Sequence, residues 1–190
     1  MESQTEKLFY MIINTFFSWL GNFSLTAGQR IGSLLGLLLF ICDSKHRNIA
    51  IDNLTHAFGR EKGPEEIRDL AQRVFRNLGC ILFEIAWSLK LSERDFPRYF
   101  DIKGLSNLKK AYEKGKGVLV LTGHVGNWEL LTIVAGMTGY PLSIVVRPLD
   151  FSPLNEFFVR VRSRFGARLI PKQHSMRAVL RSLKRGEMVA

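Results

Sequence analysis

Two uncharged apolar runs open the chain. No charge falls between Lys7 and Arg30, and residues 8–20 are strongly apolar and aromatic. A second uncharged run, residues 31–42, follows Arg30. Residues 8–27 have about the length that spans a bilayer, although Asn14, Gly21, Asn22 and Ser24 interrupt them. The second run is too short to span alone. A membrane anchor, a buried helical hairpin and a cleaved signal peptide are the three readings of this pattern. Glu2 and Glu6, with no convincing cleavage site after them, rank the signal peptide last. Lys45 and Arg47 suit an exit on the cytoplasmic face. Residues 1–42 are thus read as an N-terminal hydrophobic, membrane-anchor segment, and residues 43–190 as a domain.

Residues 43–63 read as a connector with a short helix, and 59–63 as a charged turn. Pro64 opens a long helix with Glu65 and Glu66 in its first turn, where they suit the dipole. Ile67, Leu70, Ala71, Val74, Phe75, Leu78, Ile81, Leu82, Ile85 and Ala86 follow at helical spacing, the mark of a core helix. Arg68, Arg73 and Arg76 fall on or near its polar side. Glu84 lies in the apolar part, either at a solvent edge or with a partner.

From Lys103 the pattern alternates. A helix over 106–113 closed by Gly115, a strand over 118–122 and a helix over 128–137 come first. A strand over 142–146, a helix near 154–165, a strand over 168–170 and a helix over 175–184 ended by Gly186 follow. The order predicts an α/β fold: N-terminal helices and a long helix, then an alternating layer with a mostly parallel sheet. Ligands of such sheets bind beyond the carboxyl ends of the strands. Residues 187–190 read as a strand cut off as it begins, so the domain is expected to be C-terminally incomplete.

Chemistry concentrates in Thr122-Gly123-His124-Val125-Gly126-Asn127-Trp128-Glu129. It follows the run Gly117-Val118-Leu119-Val120-Leu121 and precedes a helix for which Asn127 is the expected N-cap. On one continuous helix, residues five apart diverge by about 140°. A bend between them lets the Glu129 carboxylate fold back onto the His124 imidazole. Glu129 would then hold the ring in one tautomer while its other nitrogen takes a proton from a hydroxyl. No GxSxG is present, and Ser143 sits inside an expected strand, so the attacking hydroxyl is assigned to the substrate. Backbone N–H groups of residues 126–128, at a helix N-terminus, suit an oxyanion. Capping or packing is the competing role for each residue.

Charge narrows the partners. The net charge is +10, and residues 101–190 hold 15 Lys/Arg against 6 Asp/Glu. That field favours a polyanion: nucleic acid, phosphorylated lipid or an acidic carrier protein. No recognisable nucleic-acid module accompanies it, so no nucleic acid is expected. Cys42 and Cys80 show no CxxC spacing and are expected to be buried, reduced thiols. The four histidines lack the spacings of zinc ligands, and no metal is expected.

The stretch Gly123-His124-Val125-Gly126-Asn127-Trp128-Glu129 resembles the His-x4-Asp/Glu signature of glycerolipid-type acyltransferases. Its Gly-Asn-Trp-Glu form is similar to the late acyltransferases of bacterial lipid A synthesis, the lauroyl and myristoyl transferase family. Asn53-Leu54, Phe75-Arg76-Asn77-Leu78-Gly79, Val146-Arg147-Pro148-Leu149, Arg162-Ser163-Arg164-Phe165-Gly166 and Leu183-Lys184-Arg185-Gly186-Glu187 agree in order and spacing. The resemblance implies a lysophospholipid acyltransferase-like enzyme on the cytoplasmic face of the inner membrane. It would move a fatty acyl group from acyl carrier protein, as acyl donor, to a hydroxyl of a lipid A precursor, an anionic glycolipid, without a cofactor. By this resemblance His124 is the base and Glu129 its partner. Arg147 and Asn127 are substrate contacts, and Arg162 and Arg164 are contacts for phosphate or carrier. The alternative is a catalytically inactive, truncated fragment that binds anionic lipid at the membrane surface.

Overall fold

The computed structural model describes residues 4–190; Glu2 lies outside them. Two compact units result, one of residues 18–89 and one of residues 4–17 with 90–190.

The first unit is built from helices. The expected single span over residues 8–27 is corrected. Helix α1 (Gln4–Leu20) ends and α2 (Leu25–Cys42) begins within that stretch. The N–H groups of Asn22 and Phe23 turn back to the Trp19 and Leu20 carbonyls. Ser24 then caps α2 by accepting from the Ala27 N–H at 3.2 Å. The residues that interrupted the apolar run therefore end one helix and start the next. Among the described residues, the one helix long and apolar enough to cross a membrane is α2.

Helix α2 lies along α4 (Pro64–Ser88) through glycines. Gly28, Gly32, Gly36 and Phe40 are its buried residues. A Cβ on Gly32 would stand 2.5 Å from the Gly79 carbonyl oxygen, and one on Gly36 would overlap the Phe75 carbonyl. No side chain separates the two backbones there. Phe40 meets Phe75 edge-on at 5.5 Å between ring centroids, over the buried Ala71.

The short helix expected in the connector is α3 (Ser44–Phe58), which at 15 residues takes up most of it. Asp43 caps it by accepting from the His46 N–H, and that bond holds the Asp43 carboxyl below its ordinary value. Ala50, Ile51 and Leu54 pack on the Phe40–Ala71–Phe75 cluster, which gives this polar helix one anchored face.

In α4, Pro64 and the Glu66 carboxylate, which accepts from the Gly63 N–H, set the start as the sequence predicts. Val74 and Leu78 are not core residues: they are 44% and 46% exposed, because the buried stripe runs through Ala71, Phe75 and Gly79 instead. Glu84 accepts from Gln29 Nε2 at 2.8 Å. Cys80 is half-buried, and its burial and the Glu84 charge raise its thiol pKa. Cys42 is exposed at the end of α2, a correction to the expected buried thiol.

The second unit holds the α/β layer. A 3-10 turn (Glu93–Asp95), α5 (Phe96–Tyr99) and α6 (Leu105–Tyr112) lead to β1 (Val118–Leu119). After β1 come a 3-10 segment (Trp128–Thr132), α7 (Ile133–Thr138), β2 (Leu142–Val146), α8 (Ser152–Ser163), β3 (Arg168–Pro171), α9 (Met176–Lys184) and β4 (Met188–Val189). The strand order is β1-β4-β2-β3, and every pairing is parallel. The strand expected from residue 187 is β4, and it pairs on both sides. Val118 and Val120 donate to the Glu187 and Val189 carbonyls, and Met188 and Ala190 donate to those of Pro141 and Ser143.

Ala135, Leu142, Ala167 and Met188 form the core against this sheet, with Val118, Val120 and Ile144 packed on them. Tyr112 stacks on Tyr140 at 4.0 Å. Residues 4–17 of α1 belong to this unit as well: Phe17 packs 4.3 Å from the fully buried Phe157 of α8. Strand β1 is shorter than the expected 118–122. It lies at one end of the strand order, and Leu119 and Leu121 are 73% and 99% exposed.

Candidate active site

The loop after β1 carries the chemistry. Gly126 takes φ 58°, a left-handed conformation that a side chain disfavours, and the Val125 N–H closes a tight turn onto the Gly123 carbonyl at 2.9 Å. His124 is exposed at this turn, its ring 4.7 Å from that of Trp128 and tilted by 59°. The helix expected from residue 128 begins as a five-residue 3-10 segment, and Asn127 makes no side-chain cap bond. Both are corrections. Asn127 instead gives its carbonyl to the Leu130 N–H at 3.3 Å, and the α-helical N-terminus expected to favour an oxyanion is a 3-10 turn.

Glu129 is 8% exposed and bound by an arginine. Arg162 Nε donates to Oε2 at 2.8 Å and Nη2 to Oε1 at 2.6 Å, a two-bond guanidinium–carboxylate pair. The Trp128 indole N–H adds a third bond, to Oε1 at 3.2 Å. Arg162 sits one turn beyond Phe158 on α8, its guanidinium 5.1 Å from that ring. The carboxylate and the imidazole are therefore placed by the same short segment but not bonded to each other. Trp128 stands between them, with its ring against His124 and its N–H on Glu129.

The other expected residues make their contacts elsewhere. Arg147 follows β2 and is exposed, 3.7 Å from a still more exposed Asp150. Arg164 donates to the Leu91 carbonyl at 2.8 Å and lies over the Phe165 ring, and burial lowers its pKa. Arg162 has Glu129 as its partner. Among the described residues no group of three or more His, Cys, Asp or Glu could hold a metal ion.

The Arg162–Glu129 pair and the indole bond are not legible in the sequence. The signal was partial: a carboxylate in the apolar stretch Trp128-Glu129-Leu130-Leu131 needs a buried cation, but nothing local says which of 15 Lys/Arg in residues 101–190 supplies it. A second clamp is equally hidden. Glu187 beside β4 accepts from Arg185 and Arg168, and chiefly the Arg185 hydrogen bond lowers its pKa to about 2.

These features define an α/β protein with a His-x4-Glu loop at the carboxyl end of a parallel strand. The chain belongs to the bacterial lipid A biosynthesis acyltransferase family, whose model matches residues 3–190. It is 29% identical over 162 residues to the lipid A biosynthesis palmitoleoyltransferase of Escherichia coli (strain K12), covering 85% of this chain and 51% of that protein. A lipid A biosynthesis acyltransferase of Shigella flexneri gives the same identity and coverage. One of Haemophilus influenzae is 22% identical over 162 residues, covering 84% of this chain and 50% of its own. The chain spans about half the length of the curated relatives it matches.

Proposed function

We propose that the chain carries the acyl-transfer centre of a lipid A biosynthesis acyltransferase at the cytoplasmic face of the inner membrane. The donor is acyl carrier protein, and the acceptor is a hydroxyl of an acylated, phosphorylated glucosamine disaccharide. The observation that carries this reading is His124 itself. It is exposed at the carboxyl end of a parallel strand, and among the described residues its only ring contact is Trp128. A base must be open to the hydroxyl whose proton it takes.

His124 takes that proton as the hydroxyl oxygen attacks the acyl carbonyl, and the imidazolium returns it to the departing carrier. Glu129 supports the imidazolium. A carboxylate offers about four acceptor positions; Arg162 and Trp128 occupy three, which leaves one on Oε2 for the His124 ring N–H. Arg162 is on this view a positioning residue that holds and aims the Glu129 carboxylate. Leu121 and Val125, 99% and 86% exposed on either side of His124, suit a fatty acyl chain. Arg147 and Arg164 suit the acidic carrier and the acceptor phosphates, and Asn127 the acceptor.

An assay with acyl carrier protein as donor tests the reading. His124→Ala should lower transfer by roughly 10²–10⁴-fold, the usual contribution of a general base. Membrane association should persist. Full turnover by that variant would sink the assignment. Salt-sensitive lipid binding with no turnover in the unsubstituted protein would favour the binding-only alternative.

A further inference from the structure

The unit of residues 18–89 carries an arrangement that the acyl-transfer reading does not use. Helix α2 has 18 residues, and at about 1.5 Å per residue it reaches roughly 27 Å, close to the thickness of a hydrocarbon core. Its outer face is apolar: Leu34, Leu38 and Ile41 are 59%, 54% and 59% exposed. Length and apolarity alone would let it span. Its partner does not allow that. The glycine seam fastens α2 to α4, and α4 brings charge to the middle of α2. Arg76 Nη1 donates at 3.2 Å to Ser33 Oγ, and Ser33 is eight residues from one end of α2 and nine from the other. Glu84 meets Gln29 four residues earlier. A spanning α2 would therefore hold a guanidinium near the bilayer centre, where charged side chains are costly and rare.

The same side of α2 forms a notch of about 490 Å³, lined by Thr26, Gln29, Arg30, Ser33, Leu34 and Arg76. It joins two guanidinium groups, two hydroxyls and an amide to the rim of the leucine face. Among the described residues, neither Arg30 nor Arg76 has a salt-bridged carboxylate. Two arginines and hydroxyls are the donor set for a phosphate. We infer that α2 lies in the plane of the membrane rather than across it. Leu34, Leu38 and Ile41 enter the acyl region, and the Arg30–Arg76 notch takes the phosphate of an anionic phospholipid. The long arginine stems suit that level, with the charged heads at the headgroups and the methylenes against Leu34. This inference rests on the membrane association proposed above.

Depth measurements test it with the full chain. In a Cys42→Ser, Cys80→Ala background, spin labels at L34C, L38C and I41C are compared on vesicles of phosphatidylcholine containing phosphatidylglycerol. The inference predicts one shared shallow depth, about 5–10 Å below the phosphates. Depths that pass through the bilayer centre along the helix would overturn it and leave membrane association standing. No binding to any vesicle would overturn both. R30Q and R76Q should each weaken partitioning about fivefold, the worth of one basic residue at an anionic surface. R73Q, at an exposed arginine already paired with Asp69, should change it less than about twofold. Equal losses for all three would remove the notch. R30Q, on the exposed side, carries this comparison if the R76Q melt shows unfolding.

Discussion

The α2–α4 seam and the loop after β1 both depend on glycine, for opposite reasons. At the seam the glycines are needed for what they lack: a Cβ at Gly32, Gly36 or Gly79 would run into the backbone of the facing helix. In the loop, Gly123 and Gly126 have open space where a Cβ would stand, and what Gly126 supplies is a left-handed backbone. One region is held by close packing. The other is a polar, exposed turn braced from behind by a buried ion pair. The contrast teaches where each region is fragile: the seam to any added atom, the site to loss of a charge.

The largest effect should come from the brace. Glu129→Ala leaves the Arg162 guanidinium buried without its carboxylate, which typically costs about 3–5 kcal/mol. Urea denaturation of that variant, of Arg162→Met and of the double variant should show strong coupling, with the double variant less destabilised than the sum. Additive losses would mean the pair is not the brace. Next in size, Gly36→Ala should destabilise the helical unit by about 1–3 kcal/mol through overpacking, read as a lower melting temperature. Gly126→Ala should cost about 1–2 kcal/mol from its positive φ alone.

The Glu187 clamp gives a pH-dependent contrast. Its folded pKa, about 2, lies below the ordinary 4.5, so the ionised form is favoured by folding. That stability is fully present above about 4.5 and is lost as pH falls toward 2. Glu187→Gln should therefore be less stable than the unsubstituted chain at neutral pH, by on the order of 1–3 kcal/mol. The gap should close across that acid window in thermal melts; a constant gap down to the lowest pH would rule the clamp out.

The sequence was most legible where periodicity was strong and local. Helix α4 begins at Pro64, β2 covers residues 142–146, and α9 and β3 fall within a residue or so of expectation. It was least legible where distant residues decide. Strand β1 looks five residues long as an apolar run, yet only Val118 and Leu119 pair with β4. The leading apolar stretch reads as one span until the turn at residues 21–24 divides it. For the site, spacing and a motif single out His124 and Glu129 as candidates. The bond from Arg162 to Glu129, 33 residues apart, is not legible, since a side chain's contacts across a fold are not written in local sequence.

The comparison also fixes what His124 should and should not do. It is exposed and lacks hydrogen bonds in the described structure, so His124→Ala should leave stability within about 0.5 kcal/mol of the unsubstituted protein. The most direct measurement pairs that melt with acyl transfer from acyl carrier protein by the same preparation. The expected result is an unchanged melting temperature and a loss of transfer of roughly 10²–10⁴-fold. Undiminished transfer, or a loss that merely tracks unfolding, would contradict it.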